Sequence, residues 1–245
     1  MFLQFEKWHG AKNDFIVTWI REIDAELLIP SLKRQAPRLC QRDGSSIGAD
    51  GILALHVEKD DEVHPHQLTI INSDGSLAQH CGNGVRCAAS SVLRRHRQSS
   101  NEKLEGVEFQ VEGRPMSAQF FLASDGHQYP LVSVEMGACA VGAEVSFHGA
   151  VEAELKKAES ELNIKGLTAD WEAAEIGNPH IVIATPDAST ELIRKVGPFL
   201  QKSEAWDGMN IHLVREKEIT DDDKRRSGNE IGHSISELYE VFVWE

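Results

Sequence analysis

Asn72-Ser73-Asp74-Gly75-Ser76-Leu77-Ala78-Gln79-His80-Cys81-Gly82-Asn83-Gly84-Val85-Arg86-Cys87 is the stretch on which the reading of this chain depends. Its first five residues form a turn, since Asn, Asp and Ser bond their own backbone and Gly adopts conformations closed to other residues. Residues 85 to 97 then carry the spacing of a helix with one buried face, which makes Cys81-Gly82-Asn83-Gly84 its first turn. A cysteine at that point meets unpaired backbone N–H groups and the positive end of the helix macrodipole, and both favour thiolate over thiol. The flanking glycines let a ligand approach the backbone, so the same N–H groups could receive a carboxylate. Cys81 could equally do no more than cap a packed helix, with the glycines shaping its turn. Cys87 lies nearly two turns further on and reads as a core thiol.

Outward from this helix, residues 2 to 7 alternate as a half-buried strand and residues 13 to 19 read as a second, joined by the turn His9-Gly10-Ala11-Lys12. A helix is expected over 24 to 42, with Pro30-Ser31 as its start signal and Cys40 at its end, running into a glycine-bearing loop over 43 to 51. Further strands are expected at 52 to 57, 68 to 72, 107 to 111, 117 to 122, 132 to 136, 181 to 184 and 239 to 244. Exposed helices are expected at 151 to 162 and 189 to 202. Strands outnumber helices and most are joined by short turns, which favours a mixed α+β fold over a doubly wound parallel sheet. No Gly/Ser-rich or Pro-rich linker divides the chain. The turn residues Ala123-Ser124-Asp125-Gly126 suggest a boundary between 1–125 and 126–245, and the charged run over 221 to 229 reads as a solvated loop.

Composition excludes several classes. With 39 acidic and 25 basic side chains in 245 residues the net charge is −14, and the only dense basic run, Leu93-Arg94-Arg95-His96-Arg97, is too short to track a nucleic-acid backbone. Apolar stretches fall far short of the roughly 20 residues needed to span a membrane. The opening MFLQFEKWHG lacks the basic start and apolar run of a signal peptide, so a cytoplasmic protein is expected. Four cysteines without a Cys-x-x-Cys pair make neither a disulfide framework nor a zinc site. A metal at Cys81, His80 and His180 would lack a fourth donor.

Asn13-Asp14-Phe15-Ile16-Val17 and Asn178-Pro179-His180-Ile181-Val182 echo one another, each placing an Asn at the entry to a β-branched strand after a glycine-containing turn. The remaining motifs run, in order, Lys7-x-His9-Gly10-x-x-Asn13-Asp14-Phe15, Gly48-Ala49-Asp50-Gly51, the Asn72 to Cys87 stretch, Gly177-Asn178-Pro179-His180, Gly197-Pro198 and Asn210-Ile211. In this order and combination the chain resembles the diaminopimelate epimerase family along its whole length. The resemblance implies two pseudo-symmetric halves, each a curved sheet wrapped around a central helix, with the active site in the cleft between them. It also favours the Asn echo as a true repeat.

The family inverts an amino-acid α-carbon without pyridoxal phosphate or metal, so the resemblance implies no cofactor. It further implies a small amino-acid substrate, conversion of LL-2,6-diaminopimelate to the meso form for lysine and peptidoglycan precursor synthesis, and no nucleic-acid or membrane partner. A homodimer is kept among the expectations. The family's chemistry uses two cysteines on opposite faces of the α-carbon, one taking a proton while the other delivers one. By resemblance Cys81 is one of that pair, and Gly82 and Asn83 form half of the carboxylate cradle. Asn13, Asn72, Asn178 and Asn210 match the substrate-binding amides. His180 matches the histidine that assists the thiols, and Glu245 matches the acid ending the last strand.

The family's second cysteine stands nine residues beyond that Glu, as Cys81 stands nine beyond Asn72, and a substrate-binding Arg follows the Glu directly. The resemblance therefore implies a chain that continues past Glu245 into a second central helix, leaving the second half incomplete over these 245 residues. One thiol cannot serve both faces of an α-carbon, so these residues alone are expected not to epimerise. The sequence departs from the family at Lys12, where glycine is usual, at Leu77, Gln79 and His80, where the approach to the cysteine is usually more acidic, and in the longer stretch 216 to 238. Two alternatives remain: a non-catalytic protein that binds a diaminopimelate-like ligand, and a relative of the proline or hydroxyproline racemases and dehydratases.

Overall fold

The computed structural model describes residues 3–10, 12–58, 64–78, 81–121, 131–206, 208–220 and 237–244. Gln79, His80, the expected boundary at 123 to 126, the charged run 221 to 229 and Glu245 lie outside the described residues. The chain divides into two compact units, Met1–Met136 and Gly137–Glu245.

In the first unit, β1 (Phe5–Gly10), β2 (Asn13–Arg21), β3 (Gly51–Val57), β4 (Gln67–Asn72), β5 (Gly106–Val111), β6 (Arg114–Phe121) and β7 (Leu131–Val134) lie side by side in chain order. The β2–β3 pair is parallel, so the chain must cross over between them, and it does so through helix α1 (Glu22–Leu39). Helix α2 (Gly82–Ser99) makes the corresponding crossover from β4 to its parallel neighbour β5. One helix, α2, touches both edge strands, β1 and β7, as well as strands between them, which requires the sheet to curl around it. Val85, Ala88, Ala89 and Val92 of α2 fill the inside against Phe15, Val17, Leu53, Leu55 and Phe109. On the opposite face Leu28, Leu32 and Ala36 of α1 meet Ile16, Ile52 and Ile71. Covered on both faces, β3 is buried at every residue; its run Gly-Ile-Leu-Ala-Leu-His-Val is apolar except for His56, whose ring nitrogens meet Glu22 and Thr69. Each fully buried Leu or Ile contributes about 2 kcal/mol before the entropy of ordering is counted.

Pro30 does not start α1; it lies inside a continuous helix that begins at Glu22. The ring is accommodated because Pro30 and Pro37 both lie on the exposed side, where a curved helix opens its hydrogen bonds toward water. The boundary between units likewise falls after Met136 and not after residue 125, because β7 pairs with β6 from Phe121↔Leu131 to Ala118↔Val134 and belongs to the first sheet.

The second unit contains β8 (Ala140–Val141), a 3-10 turn (Gly142–Glu144), α3 (His148–Leu162), β9 (Trp171–Glu175), β10 (Pro179–Ala184), α4 (Thr190–Gln201), β11 (Asn210–Glu216) and β12 (Tyr239–Trp244). The sheet order is β12-β11-β10-β9-β8. Helix α4 starts at the Ser189 cap, whose Oγ accepts from Leu192 N–H at 3.2 Å, and α3 ends where Asn163 turns left-handed. Val151 and Leu155 of α3 and Ile193, Val196 and Leu200 of α4 pack on Ile181, Ile183, Ile211 and Leu213. The other face of this sheet carries His180, Val182, Asn210, His212 and the exposed side chains of Tyr239, Val241 and Val243, and no further helix is described in this unit.

The two units repeat one topology. In each, an antiparallel hairpin (β1–β2, β9–β10) leads through a helix (α1, α4) to a parallel strand (β3, β11) and then to an antiparallel fourth strand (β4, β12). Asn13 stands two residues before Phe15, the first partner of Gly51 at the start of β3; Asn178 stands two before His180, the first partner of Asn210 at the start of β11. The echo of Asn-Asp-Phe-Ile-Val in Asn-Pro-His-Ile-Val thus marks equivalent backbone positions. The expectation of a mixed α+β fold built from curved, pseudo-symmetric halves holds.

Candidate functional site

Cys81 is the N-cap of α2, extended at φ −155° and ψ 90°, and its Sγ accepts a hydrogen bond from Gly84 N–H at 3.3 Å. A sulfur placed on a first-turn N–H is better stabilised as an anion than as a thiol. No acidic residue occupies that first turn to oppose it. A β-carbon on Gly82 would lie 2.9 Å from the sulfur of Met136, so the flexible end of that methionine would have to move aside. A β-carbon on Gly84 would come within 3.2 Å of Cys81 Sγ. Cys87, two turns along, is 2% exposed in the core, and its thiol is pushed up to about 12, chiefly by burial and secondarily by the charge of Cys81. The helix therefore carries one accessible and one inert sulfur.

The residues around this helix start come from three separate motifs. Asn83 Nδ2 donates to Asn13 Oδ1 at 2.7 Å, Asn13 Nδ2 reaches Asp50 Oδ2 at 3.4 Å, and Asp50 Oδ2 also accepts from Asp14 N–H at 2.9 Å. Arg42 pairs with both Asp14 and Asp50, and Arg86 Nη1 donates to Asn83 Oδ1 at 3.3 Å. Each Asn amide keeps a second N–H for a ligand after these bonds. The Arg42 guanidinium, with Lys7 beside it, holds the Asp14 carboxyl well below the usual carboxylate range. Lys12, just before Asn13, has φ 74°, so the turn keeps the left-handed backbone for which glycine is the unstrained choice.

Asn72 sits at the end of β4 opposite Gly51, at the same end of the sheet as Asn13. Its Nδ2 donates to Ser76 Oγ at 2.9 Å, while Asp74 Oδ1 accepts from Ser76 N–H at 2.8 Å, closing the turn that the sequence indicated. A crevice of about 460 Å³ lined by Lys7, His9, Arg86, Arg94 and Leu131 runs along α2, but Cys81 is not in its lining; Lys7 and Arg94 are already paired with Asp14 and Glu6.

In the second unit His180 and Asn210 are direct partners at the paired starts of β10 and β11, and Asn210 Nδ2 donates to Pro179 O at 3.3 Å. His180 Nε2 lies 2.9 Å from Asn178 Oδ1, and its Nδ1 lies 2.8 Å from His212 Nε2. Burial pushes both imidazoles down, His212 to about 4 with repulsion from His180 adding to it, so both are neutral near pH 7. The structure thus gathers Cys81, Gly82, Asn83 and Asn13 in one unit, with Asn72 at the same sheet end, and Asn178, His180 and Asn210 in the other. Glu245 is not among the described residues. His212 was missed by the sequence reading, although the alternation of Ile211 and Leu213 leaves it on the face of Asn210.

A curled α+β sheet repeated in two units, with a cysteine at one helix start and asparagines at equivalent strand starts, defines the class of fold. The crystal structure of the Bacillus anthracis phenazine biosynthesis protein of the PhzF family shares that fold, with a TM-score of 0.53 at 12% identity over 89% of this chain and 67% of that one. Residues 5–141 match the family model described as diaminopimelate epimerase. Diaminopimelate epimerase of Nostoc punctiforme is 32% identical over 207 residues, covering 84% of this chain and 69% of the relative. That of Xanthomonas euvesicatoria is 32% identical over 215 residues, covering 87% and 69%. The chain belongs to the diaminopimelate epimerase family.

Proposed function

We propose that the protein acts on LL-2,6-diaminopimelate as a cofactor-independent epimerase toward the meso form, in lysine and peptidoglycan precursor synthesis in the cytoplasm, with Cys81 as an acid/base thiol. The observation that carries this reading is the placement of Cys81 at the cap of α2, with its sulfur on Gly84 N–H and with Asn83 tied to Asn13 beside it. The α-proton of an amino acid is weakly acidic, so the thiolate must act on a substrate whose developing charge is stabilised at once. The N–H groups at the start of α2 and the spare amide hydrogens of Asn13 and Asn83 are suited to a carboxylate as charge moves onto it. In this reading Cys81 takes the proton from one face, a second group delivers one from the opposite face, and His180, Asn178, Asn210, Asn72 and Glu245 serve the substrate and the proton.

Incubation of the protein with diaminopimelate in D2O tests this. The C–H proton passes to the Cys81 sulfur, the S–H exchanges with solvent, and deuterium returns to the α-carbon. Deuterium incorporation that disappears in Cys81→Ala is the expected result, with inversion scored separately by chiral chromatography. Binding of diaminopimelate without any exchange, unchanged in Cys81→Ala, would establish the non-catalytic alternative, and turnover of hydroxyproline instead would establish the racemase relative.

A further inference from the structure

The face of the second sheet that α3 and α4 leave open carries a histidine pair, and its hydrogen bonds admit only one arrangement of protons. Asn178 Oδ1, 2.9 Å from His180 Nε2, is an acceptor and nothing else, so Nε2 of His180 carries a hydrogen. A neutral imidazole has one N–H, which leaves His180 Nδ1 with a lone pair. That lone pair lies 2.8 Å from His212 Nε2, a contact that needs a single proton between the two nitrogens, and His212 must supply it. The ring centroids are 5.1 Å apart and the planes 27° from parallel, the separation of two rings meeting edge to edge through such a bond. Parallel pairing of β10 and β11 makes the contact: His212 is the partner of Val182, so it projects on the same face as His180 one pleat further along.

We infer that His212 is a positioning residue that fixes His180 as the Nε2–H tautomer. Asn178 holds one ring nitrogen and His212 the other, so the ring can neither flip nor exchange tautomers without breaking a bond. A second proton entering His180 at Nδ1 would set two N–H groups against each other, so His180 resists charging; His212 is depressed separately, by burial and by repulsion from His180. The other titratable side chains on this face are Glu172 of β9 and Glu216 and Tyr239 at the far end, and Glu172 accepts from Ala173 N–H at 3.2 Å. His180 is thereby presented as a neutral donor through Nε2. The consequence for turnover rests on the function proposed above; the tautomer assignment does not.

The test is a through-hydrogen-bond N–N correlation on the protein labelled with ring-15N histidine, at neutral pH, with His180→Gln and His212→Gln spectra for assignment. The expected wild-type result is a proton covalently on His212 Nε2 coupled to His180 Nδ1, with His180 bearing its own proton on Nε2. A proton on His180 Nδ1, or absence of the coupling, overturns the inference. His212→Leu should leave His180 distributed over both tautomers, and His212→Gln, whose amide can still donate, should restore one; a single unchanged tautomer in His212→Leu would show that Asn178 suffices and also overturns it. If the wild type exchanges the α-proton of diaminopimelate, His212→Leu should lower kcat on the order of tenfold with KM little changed, and His212→Gln should recover most of it. A wild type that exchanges nothing refutes the proposed function and leaves the tautomer assignment to be decided by the spectra.

Discussion

Asn83 on the first turn of α2 donates through Nδ2 to the side-chain oxygen of Asn13 at the first residue of β2, 2.7 Å away across 70 residues of sequence. This bond fastens the helix that carries Cys81 to the strand entry that carries the repeated Asn. Removing either partner strands the other in a half-buried place, so Asn13→Ala and Asn83→Ala should each cost about 1 kcal/mol. The double variant should cost less than the sum of the two. Urea unfolding of all four forms measures the coupling, and strict additivity would mean that the bond does not form in solution.

Lys12 holds a left-handed conformation at φ 74°, which costs a side-chain-bearing residue roughly 1 kcal/mol. Lys12→Gly relieves that strain but frees the unfolded chain, so a net gain below about 1 kcal/mol is expected. Lys12→Val, branched at Cβ, should lose stability. Urea midpoints that rank valine above glycine would contradict the backbone geometry.

Asp14 supplies the pH dependence of the first unit. Its carboxyl is held below its ordinary 3.8 by the hydrogen bond from Arg42, with Lys7 contributing. A group whose folded value is depressed stabilises fully above its unfolded value and loses that contribution as pH falls toward the folded one. Stability should therefore decline below about pH 4. Asp14→Asn should start lower and show a shallower decline over the same range in chemical unfolding at stepped pH.

The four cysteines should separate by reactivity. Cys40 and Cys87 are buried with thiols raised above their ordinary values, Cys139 is exposed, and Cys81 is half-buried on a helix start. Brief iodoacetamide treatment of the folded protein at neutral pH should label Cys81 and Cys139 and spare the other two, as peptide mass spectrometry reads. Labelling of Cys87 ahead of Cys81 would contradict the packing of α2.

Gly197 faces Trp244: a β-carbon added there would lie 2.2 Å from the indole Cγ and 2.5 Å from its Cβ. Gly197→Ala must push α4 off β12, at about 1–3 kcal/mol. The Trp244 indole N–H donates to Gln201 Oε1 at 2.9 Å, so a shifted tryptophan emission should accompany the lost stability.

Much of this was legible in the sequence, and the rest was not for identifiable reasons. The start of α2 could be read because a turn, a cysteine and two glycines leave few local structures open. The helix over 24 to 42 is legible, but Pro30 reads as its start because a proline's missing N–H costs nothing in a first turn; the structure carries it mid-helix, where the lost bond is offset by the packing of Leu28, Leu32 and Ala36. β9 was unread because Trp171-Glu172-Ala173-Ala174-Glu175 lacks a β-branched residue, and its strand character comes from pairing with β8 and β10. The network of Asn13, Asp50 and Asn83 could be suspected from motifs but not joined, because its bonds cross 37 and 70 residues. His212 could not be matched with His180 without the parallel register of β10 and β11.

Phe15 and His180 occupy the same place in two copies of one strand, yet the first is 4% exposed beneath α2 and the second lies on a face that no described helix covers. Burial in the core would penalise a charged ring at the first place, so Phe15 serves there through shape alone. At the second place the ring of His180 is held through both nitrogens, by Asn178 and His212. One backbone position thus does two kinds of work, filling space in one unit and placing a proton in the other.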